Sequence, residues 1–175
     1  MKYSPIVLFL YNRPKHTKLT LDALANNTEA IESELFIYCD GLKPNSSEND
    51  LDKVKAVRQI ANEENRFKKV NVICRNENLG LADSIISGVT EIVNRFGRII
   101  VLEDDIVPSI GFLKYMNEAL DLYENEDKVG CIHAWNYDLD TSEYKDSTFF
   151  LLGGDCWGWA TWKGSWNMFE PIGNT

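Results

Sequence analysis

Residues 98–105 read Arg98-Ile99-Ile100-Val101-Leu102-Glu103-Asp104-Asp105. Four apolar residues run without a break and then stop at three carboxylates. A short apolar run rich in β-branched side chains is what a strand covered on both faces requires. The abrupt change to acids marks its carboxyl end. Strand alternation places Glu103 and Asp105 on one side and Asp104 on the other. Three carboxylates crowded at one strand end repel one another unless a cation or hydrogen-bond donors offset their charge. Hard divalent ions such as Mg²⁺ or Mn²⁺ suit one or two carboxylates, with water and substrate phosphate completing the shell. A solvated acidic turn is the plain alternative.

Working outward, similar runs recur at PIVLFLY (5–11), LFIYC (35–39), VNVIC (70–74) and VGCIH (129–133). Segments of helical period separate them. Ile85, Ile86, Val89, Ile92, Val93 and Phe96 form one apolar stripe within 82–96; Phe112, Leu113, Met116, Ala119, Leu120 and Tyr123 form another within 109–124, where Ser109 is placed to cap the helix. Weaker patterns cover 15–26 and 48–64, and Pro14 suits a first helical turn. Such alternation predicts an α/β fold, a mostly parallel central sheet with helices on both faces. Beyond about residue 134 the chain turns polar (WNYDLDTSEYKDS), TFFLL (148–152) suggests one more strand, and all the tryptophans fall between 135 and 166. That much aromatic surface packs against something or lines a site. With EPIGNT following so soon, the chain reads as cut short within a larger fold.

The chain has 175 residues and a formal net charge of −9, which argues against nucleic acid as a partner. No apolar run is long enough for a transmembrane helix, and 5–11 is too short for a signal core, so a cytoplasmic location is expected, with peripheral membrane association left open. Cys39, Cys74, Cys131 and Cys156 lack zinc-finger spacing; the three in apolar runs are expected to be reduced and buried. His133, inside such a run, reads as a hydrogen-bonded core histidine.

In an open parallel sheet the ligand lies outside the carboxyl ends of the strands. After the first run, which closes on Tyr11, stand Asn12-Arg13-Pro14; after the second, Asp40-Gly41; after the third, Arg75-Asn76-Glu77-Asn78-Leu79-Gly80; after the fourth, the acidic triplet. A guanidinium at Arg13 can clamp a diphosphate, or simply be solvated. Asp40 can accept the imide N–H of uracil, although Asp-Gly is also an ordinary turn. Asn78 and Gly80 can bring backbone close to a ribose or phosphate, or serve only as a loop before a helix. No G-x-G-x-x-G or Walker A sequence is present, so dinucleotide and P-loop readings lack support.

The ordered series IVLFLYNRP, IYCDG, RNENLGLADSIISGV, RIIVLEDDIVPSIGFLKYM, HAWNYD and GGDCWGWATWK resembles GT-A glycosyltransferases, above all the N-acetylglucosaminyltransferase I family. The resemblance implies a Rossmann-like GT-A fold: 1–175 one domain, 1–133 its nucleotide-sugar half, 134–175 the start of an incomplete acceptor half. It implies inverting, metal-assisted transfer of a hexosyl or N-acetylhexosaminyl group from a nucleoside-diphosphate sugar, UDP-sugar above others, to a glycan or other hydroxyl acceptor, as in polysaccharide biosynthesis. By the same resemblance Arg13 contacts the diphosphate, Asp40 reads uracil, Asp105 ligates Mn²⁺ or Mg²⁺, and Glu103 and Asp104 face the donor sugar and ribose. The family's donor-contacting His falls where this chain reads GLADS, moving that contact to Leu81 or Asp83. The family's catalytic base falls past residue 175; Asp155 is the nearest local substitute, or simply a turn residue after Gly153-Gly154. Two other readings compete: a non-catalytic sugar-nucleotide binding module, and a receiver-type signalling domain opening at IIVLEDD, which leaves the first units unexplained.

Overall fold

The structure is a computed structural model that describes residues 3–135 and 148–170. The unbroken apolar character of residues 6–10 is explained at once: β1 (Ile6–Leu10) is buried at every position, in the middle of a six-stranded sheet. Strand order is β3-β2-β1-β4-β6-β5, with β2 at Glu34–Cys39, β3 at Lys69–Cys74, β4 at Arg98–Glu103, β5 at Cys131–His133 and β6 at Trp159–Trp162. The first four strands pair in parallel, in register Ile6–Leu35, Ile6–Ile100 and Glu34–Lys69. β6 inserts antiparallel between β4 and β5. The mostly parallel α/β architecture is therefore as the alternation predicts. An antiparallel strand at this position is not: WATW is too short and too aromatic to be told from a packed turn.

Side-chain period sorts the helices onto two faces. Ile6, Leu8, Leu10, Leu35, Ile37, Ile100 and Leu102 point toward α1 (Pro14–Ala25), α2 (Glu48–Glu63) and α4 (Phe112–Leu122). Val7, Phe9, Phe36, Tyr38, Ile99 and Val101 point toward α3 (Leu81–Phe96), whose Val89, Ile92 and Val93 are wholly buried. A short helix, α5 (Lys163–Trp166), also closes that face, with the Trp166 indole N–H donating to Thr90 Oγ1 at 2.9 Å. Full burial of one such aliphatic side chain stabilises by about 1.5–3 kcal/mol. An exposed ion pair contributes roughly 0–1 kcal/mol. The two cores hold the fold, so surface charges can be altered without unfolding it.

Four expectations need correction. Ser109 does not cap α4, which starts at Phe112 behind Gly111 at φ +98°. The cap comes from a distance: Asn27 Oδ1 accepts from the Gly111 and Leu113 amides at 3.0 and 3.1 Å. TFFLL is not a strand; Phe150, Leu151 and Leu152 are exposed, and Phe150 meets Tyr123 edge-on. Cys74 is exposed and Cys131 half-buried, because β3 and β5 form the sheet's outer edges; Cys39 alone of the three is buried. His133 is half-buried rather than core, its Nε2 2.9 Å from Cys131 Sγ. Residues 136–147 and 171–175, which include most of the polar stretch and all but the first residue of EPIGNT, lie outside the described residues. No helix among the described residues is long and apolar enough to cross a membrane.

Candidate functional site

The strand order places β2 on one side of β1 and β4 on the other, so the chain reverses direction of progress between β1 and β4. A crevice opens at such a switch point, beyond the carboxyl ends. The residues following these two strands meet there. Arg13, at the N-terminus of α1, extends its Nη1 to Asp105 Oδ2 at 2.9 Å and to Asp104 Oδ1 at 3.5 Å. β4 ends at Glu103, and 104–105 form a turn closed by the Ile106 amide on the Glu103 carbonyl at 3.2 Å. The pleat breaks one residue earlier than strict alternation requires. That is why Asp104 and Asp105 reach the same cation instead of opposite faces.

The three carboxylates differ in their surroundings. Asp104 is 8% exposed. Burial raises its pKa above the ordinary carboxylate value, Arg13 opposes the rise, and Asp105 adds to it. The Thr20 hydroxyl, buried in α1, donates to the Asp104 carbonyl at 2.9 Å and holds the turn from below. Glu103 is also raised, first by burial and then by repulsion from Asp105 and Asp104. Asp105 is the open member, its side chain 51% exposed. Among the described residues no cluster of three or more His, Cys, Asp or Glu could close around a metal.

Asp40 and the loop before α3 form a second assembly on the β1–β2 side. Asp40 is 6% exposed, and its Oδ1 accepts from the Gly41 amide at 2.9 Å and the Leu79 amide at 3.0 Å. Asn78 completes the clamp: its Nδ2 donates to the Gly41 carbonyl at 2.8 Å and its Oδ1 accepts from the Gly80 amide at 3.2 Å. Gly41 is indispensable to this approach, since a Cβ there would stand 2.2 Å from the Glu77 carbonyl carbon. Gly80 begins α3 at φ +77°, with open space around it. Asp83 lies exposed in the first turn of α3, and the Ser87 hydroxyl donates to its carbonyl at 2.6 Å. Leu81 is exposed beside it.

Tyr11 and Asn12 connect the two assemblies. The Tyr11 hydroxyl accepts from the Lys43 amide at 3.3 Å and its ring lies 5.6 Å from Lys43 Nζ; Asn12 Nδ2 donates to Asp50 Oδ1 at 3.3 Å, tying the first loop to the start of α2. On the far side, Asp155 Oδ1 accepts from the Trp157 amide at 2.7 Å. The segment is near the triplet: the charges of Glu103, Asp155 and Asp105 add to burial in raising the Cys156 thiol pKa. Asp155 also acts on His133, whose pKa burial lowers. Trp135 and Trp157 face each other with centroids 5.2 Å apart, both about half exposed. Trp159, Trp162 and Trp166 are packed instead, the first against Trp166 and the second with its indole N–H on the Leu120 carbonyl at 3.2 Å.

Sequence reasoning gave no structural role to Thr20, Gly41, Arg58 or Arg75. Arg75 braces α3 by donating to the Ser84 and Ser87 hydroxyls at 2.8 and 2.9 Å, and lies over the Tyr38 ring. Arg58 donates to the Asp40 and Arg75 carbonyls at 3.4 and 2.5 Å. The one signal available was Asp40-Gly41 itself, since a glycine can mark a close backbone approach as well as a turn. A groove of about 310 Å³ between α1 and α2, lined by Lys18, Asp22, Glu64 and Arg66 among others, is remote from all of this. Its Arg66 is already paired, to Asp22 at 2.8 Å and to Glu64 at 2.5 Å.

No protein-family profile and no curated protein matches the chain. Among solved structures, that of S. aureus TarS is similar at a TM-score of 0.45 and 16% identity, over 69% of this chain and 20% of its own. The chain thus spans about a fifth of that protein's length.

Proposed function

We propose that the chain carries the nucleotide-sugar half of a metal-assisted glycosyltransferase. The observation that supports this reading most is the convergence of Arg13 with Asp104 and Asp105 at the switch point between β1 and β4. A guanidinium beside carboxylates, one of them open, suits a diphosphate and its counter-ion. Asp105 would hold Mn²⁺ or Mg²⁺, with Arg13 turning from Asp105 to the phosphate oxygens. A divalent ion bound there would neutralise charge growing on the departing diphosphate. Asp40 keeps one oxygen, Oδ2, that neither amide of the loop takes, and this oxygen would accept the imide N–H of uracil. Glu103 and Asp104 would face the ribose and donor sugar, with Tyr11, Asn12, Asn78, Gly80 and Asp83 shaping the walls.

The reaction is a displacement at the anomeric carbon. The acceptor oxygen forms the new glycosidic bond, the bond to the diphosphate breaks, and a base takes the acceptor proton. Asp155 is the carboxylate this chain offers for that role, one of its oxygens being held by the Trp157 amide. A glycan acceptor would lie across the half-exposed Trp135–Trp157 pair. Calorimetric titration with UDP, GDP and CDP, each with and without Mn²⁺, tests the reading. Binding of UDP that requires the ion is expected. Equal affinity for all three nucleotides, unchanged by Mn²⁺, would overturn it. Transfer from UDP-sugars separates an enzyme from a module that binds the donor without turnover.

A further inference from the structure

Cys39 is the last residue of β2 and Cys74 the last of β3, and they are direct partners in the parallel register. Opposed residues of a parallel pair project to the same face. Here Cys39 continues the row of Leu35 and Ile37, and Cys74 that of Val70 and Val72, both on the side of α2. Neighbouring strands run roughly 4.8 Å apart, inside the Cα separation of about 4.4–6.8 Å that a disulfide spans. The two thiols differ in access: Cys39 is 1% exposed, whereas Cys74 is open to solvent. The strand ends are also held in place. The Arg75 amide donates to the Cys39 carbonyl at 2.9 Å, and Arg58 bridges the carbonyls of the next residue on each strand. A bridge would therefore form between positions already fixed side by side.

We propose that Cys39 and Cys74 are a thiol-modification site that forms a reversible intramolecular disulfide by exchange with a small-molecule disulfide. The exposed Cys74 thiolate attacks one sulfur of that disulfide, releasing one small thiolate and leaving a mixed disulfide on Cys74. Cys39 then loses its proton to solvent and attacks Cys74 Sγ. The Cys39–Cys74 bond forms and the second small thiolate departs. Two cysteine thiols are oxidised and one small disulfide is reduced to two thiols. The second step is the slow one. Burial, with the adjacent Cys74 adding to it, pushes the Cys39 thiol up to about 12, so little thiolate is present near neutral pH. The bridge would lie directly beneath Asp40 and Arg75, the residues that secure the loop before α3.

The test uses the full chain with oxidised glutathione at neutral and mildly alkaline pH, followed by alkylation, digestion and non-reducing mass spectrometry. The expected product joins the Cys39 and Cys74 peptides, is two hydrogen atoms lighter than the reduced pair, and reverts with dithiothreitol. It accumulates several-fold faster at the higher pH. Cys39→Ser should stop at the glutathione adduct on Cys74, and Cys74→Ser, a change at an exposed site, should leave Cys39 unmodified. Cross-links confined to Cys131 or Cys156, or a Cys74 adduct that persists in the unsubstituted chain at the higher pH, would overturn the proposal. None of these readouts depends on nucleotide binding, so the outcome is independent of the function proposed above.

Discussion

Arg13 Nη1 stands 2.9 Å from Asp105 Oδ2 and 3.5 Å from Asp104 Oδ1, so one guanidinium from the end of β1 answers two carboxylates from the turn after β4. Both Arg13 and Asp105 are about half exposed at the side chain, which limits what the pair adds to stability. Asp105→Asn should therefore leave the melting temperature nearly unchanged. On the proposed function, it should reduce Mn²⁺-dependent UDP affinity tenfold or more, equivalent to at least about 1.4 kcal/mol. Calorimetry with and without the ion, beside a thermal melt, checks both halves; full affinity in the variant would remove Asp105 from the site.

Asp40 allows a structural and a ligand role to be separated. Asn at this position keeps an oxygen able to accept from the Gly41 and Leu79 amides, while Ala does not. Asp40→Ala should destabilise by about 1–3 kcal/mol, the cost of leaving buried amides unpaired. Asp40→Asn should retain most of the stability and lose uridine-nucleotide affinity. Equal UDP binding by Asp40→Asn and the unsubstituted chain, measured alongside urea melts, would confine Asp40 to holding the loop.

Gly41→Ala places a methyl group 2.2 Å from the Glu77 carbonyl carbon and 2.7 Å from the Asn78 amide nitrogen. Those atoms are backbone and cannot swing aside as a side chain could. The variant should lose at least roughly 1–3 kcal/mol, the usual range for overpacking. The 77–80 loop would be displaced from Asp40, so hydrogen exchange at the Leu79 amide should accelerate. An unshifted melt with unchanged protection at Leu79 would contradict the clamp.

The raised pKa values of Glu103 and Asp104 give a pH dependence of known sign. Their ordinary values are 4.5 and 3.8, and both are higher in the folded chain. Folding then favours the protonated forms. The stability they contribute is complete below the ordinary values and is lost as pH rises through the folded ones. Glu103→Gln removes a desolvated, mutually repelled charge. It should stabilise the chain near pH 7, and the gain should shrink toward pH 4. Urea melts at the two pH values read this directly; a gain that grows on acidification would reverse the assignment.

How much of this could be read beforehand follows from the range of each interaction. β1, β2 and β4 are central and buried, so their apolar runs announced them; α3 and α4 carried apolar stripes wide enough to be seen. The carboxyl-end placement of Arg13, Asp40 and the triplet followed from the alternation of apolar runs with helical segments. What escaped was decided by contacts far apart in sequence. Asn27 caps α4 from more than eighty residues away, and Thr20 holds the Asp104 carbonyl across a similar gap. TFFLL has strand composition but no partner strand among the described residues. Cys74 shares the apolar setting of Cys39, yet an edge strand exposes it. Asp40 stands at the end of β2, but only the fold reveals that its first oxygen is already engaged.

The Trp135–Trp157 pair supports a prediction specific to the sugar rather than to the nucleotide. Aromatic faces favour the apolar C–H face of a pyranose, and these two indoles, with centroids 5.2 Å apart, are each about half exposed. Trp157 also sits between Asp155, whose carboxylate takes its amide, and Gly158, whose carbonyl accepts from Ala134 at 3.1 Å. Its backbone is thereby fixed while its ring stays open. Trp157→Ala should leave UDP affinity within about twofold, since the diphosphate contacts proposed above are at Arg13 and Asp105. It should weaken binding of a UDP-sugar or glycan acceptor several-fold, a loss on the order of 1 kcal/mol. Trp159→Ala, at a packed position of β6, should instead lower stability with no such selectivity. Competition titrations of UDP against UDP-sugar in both variants decide between the roles. A Trp157→Ala variant that binds nucleotide and sugar nucleotide with unaltered relative affinity would place the indole pair outside the sugar's reach.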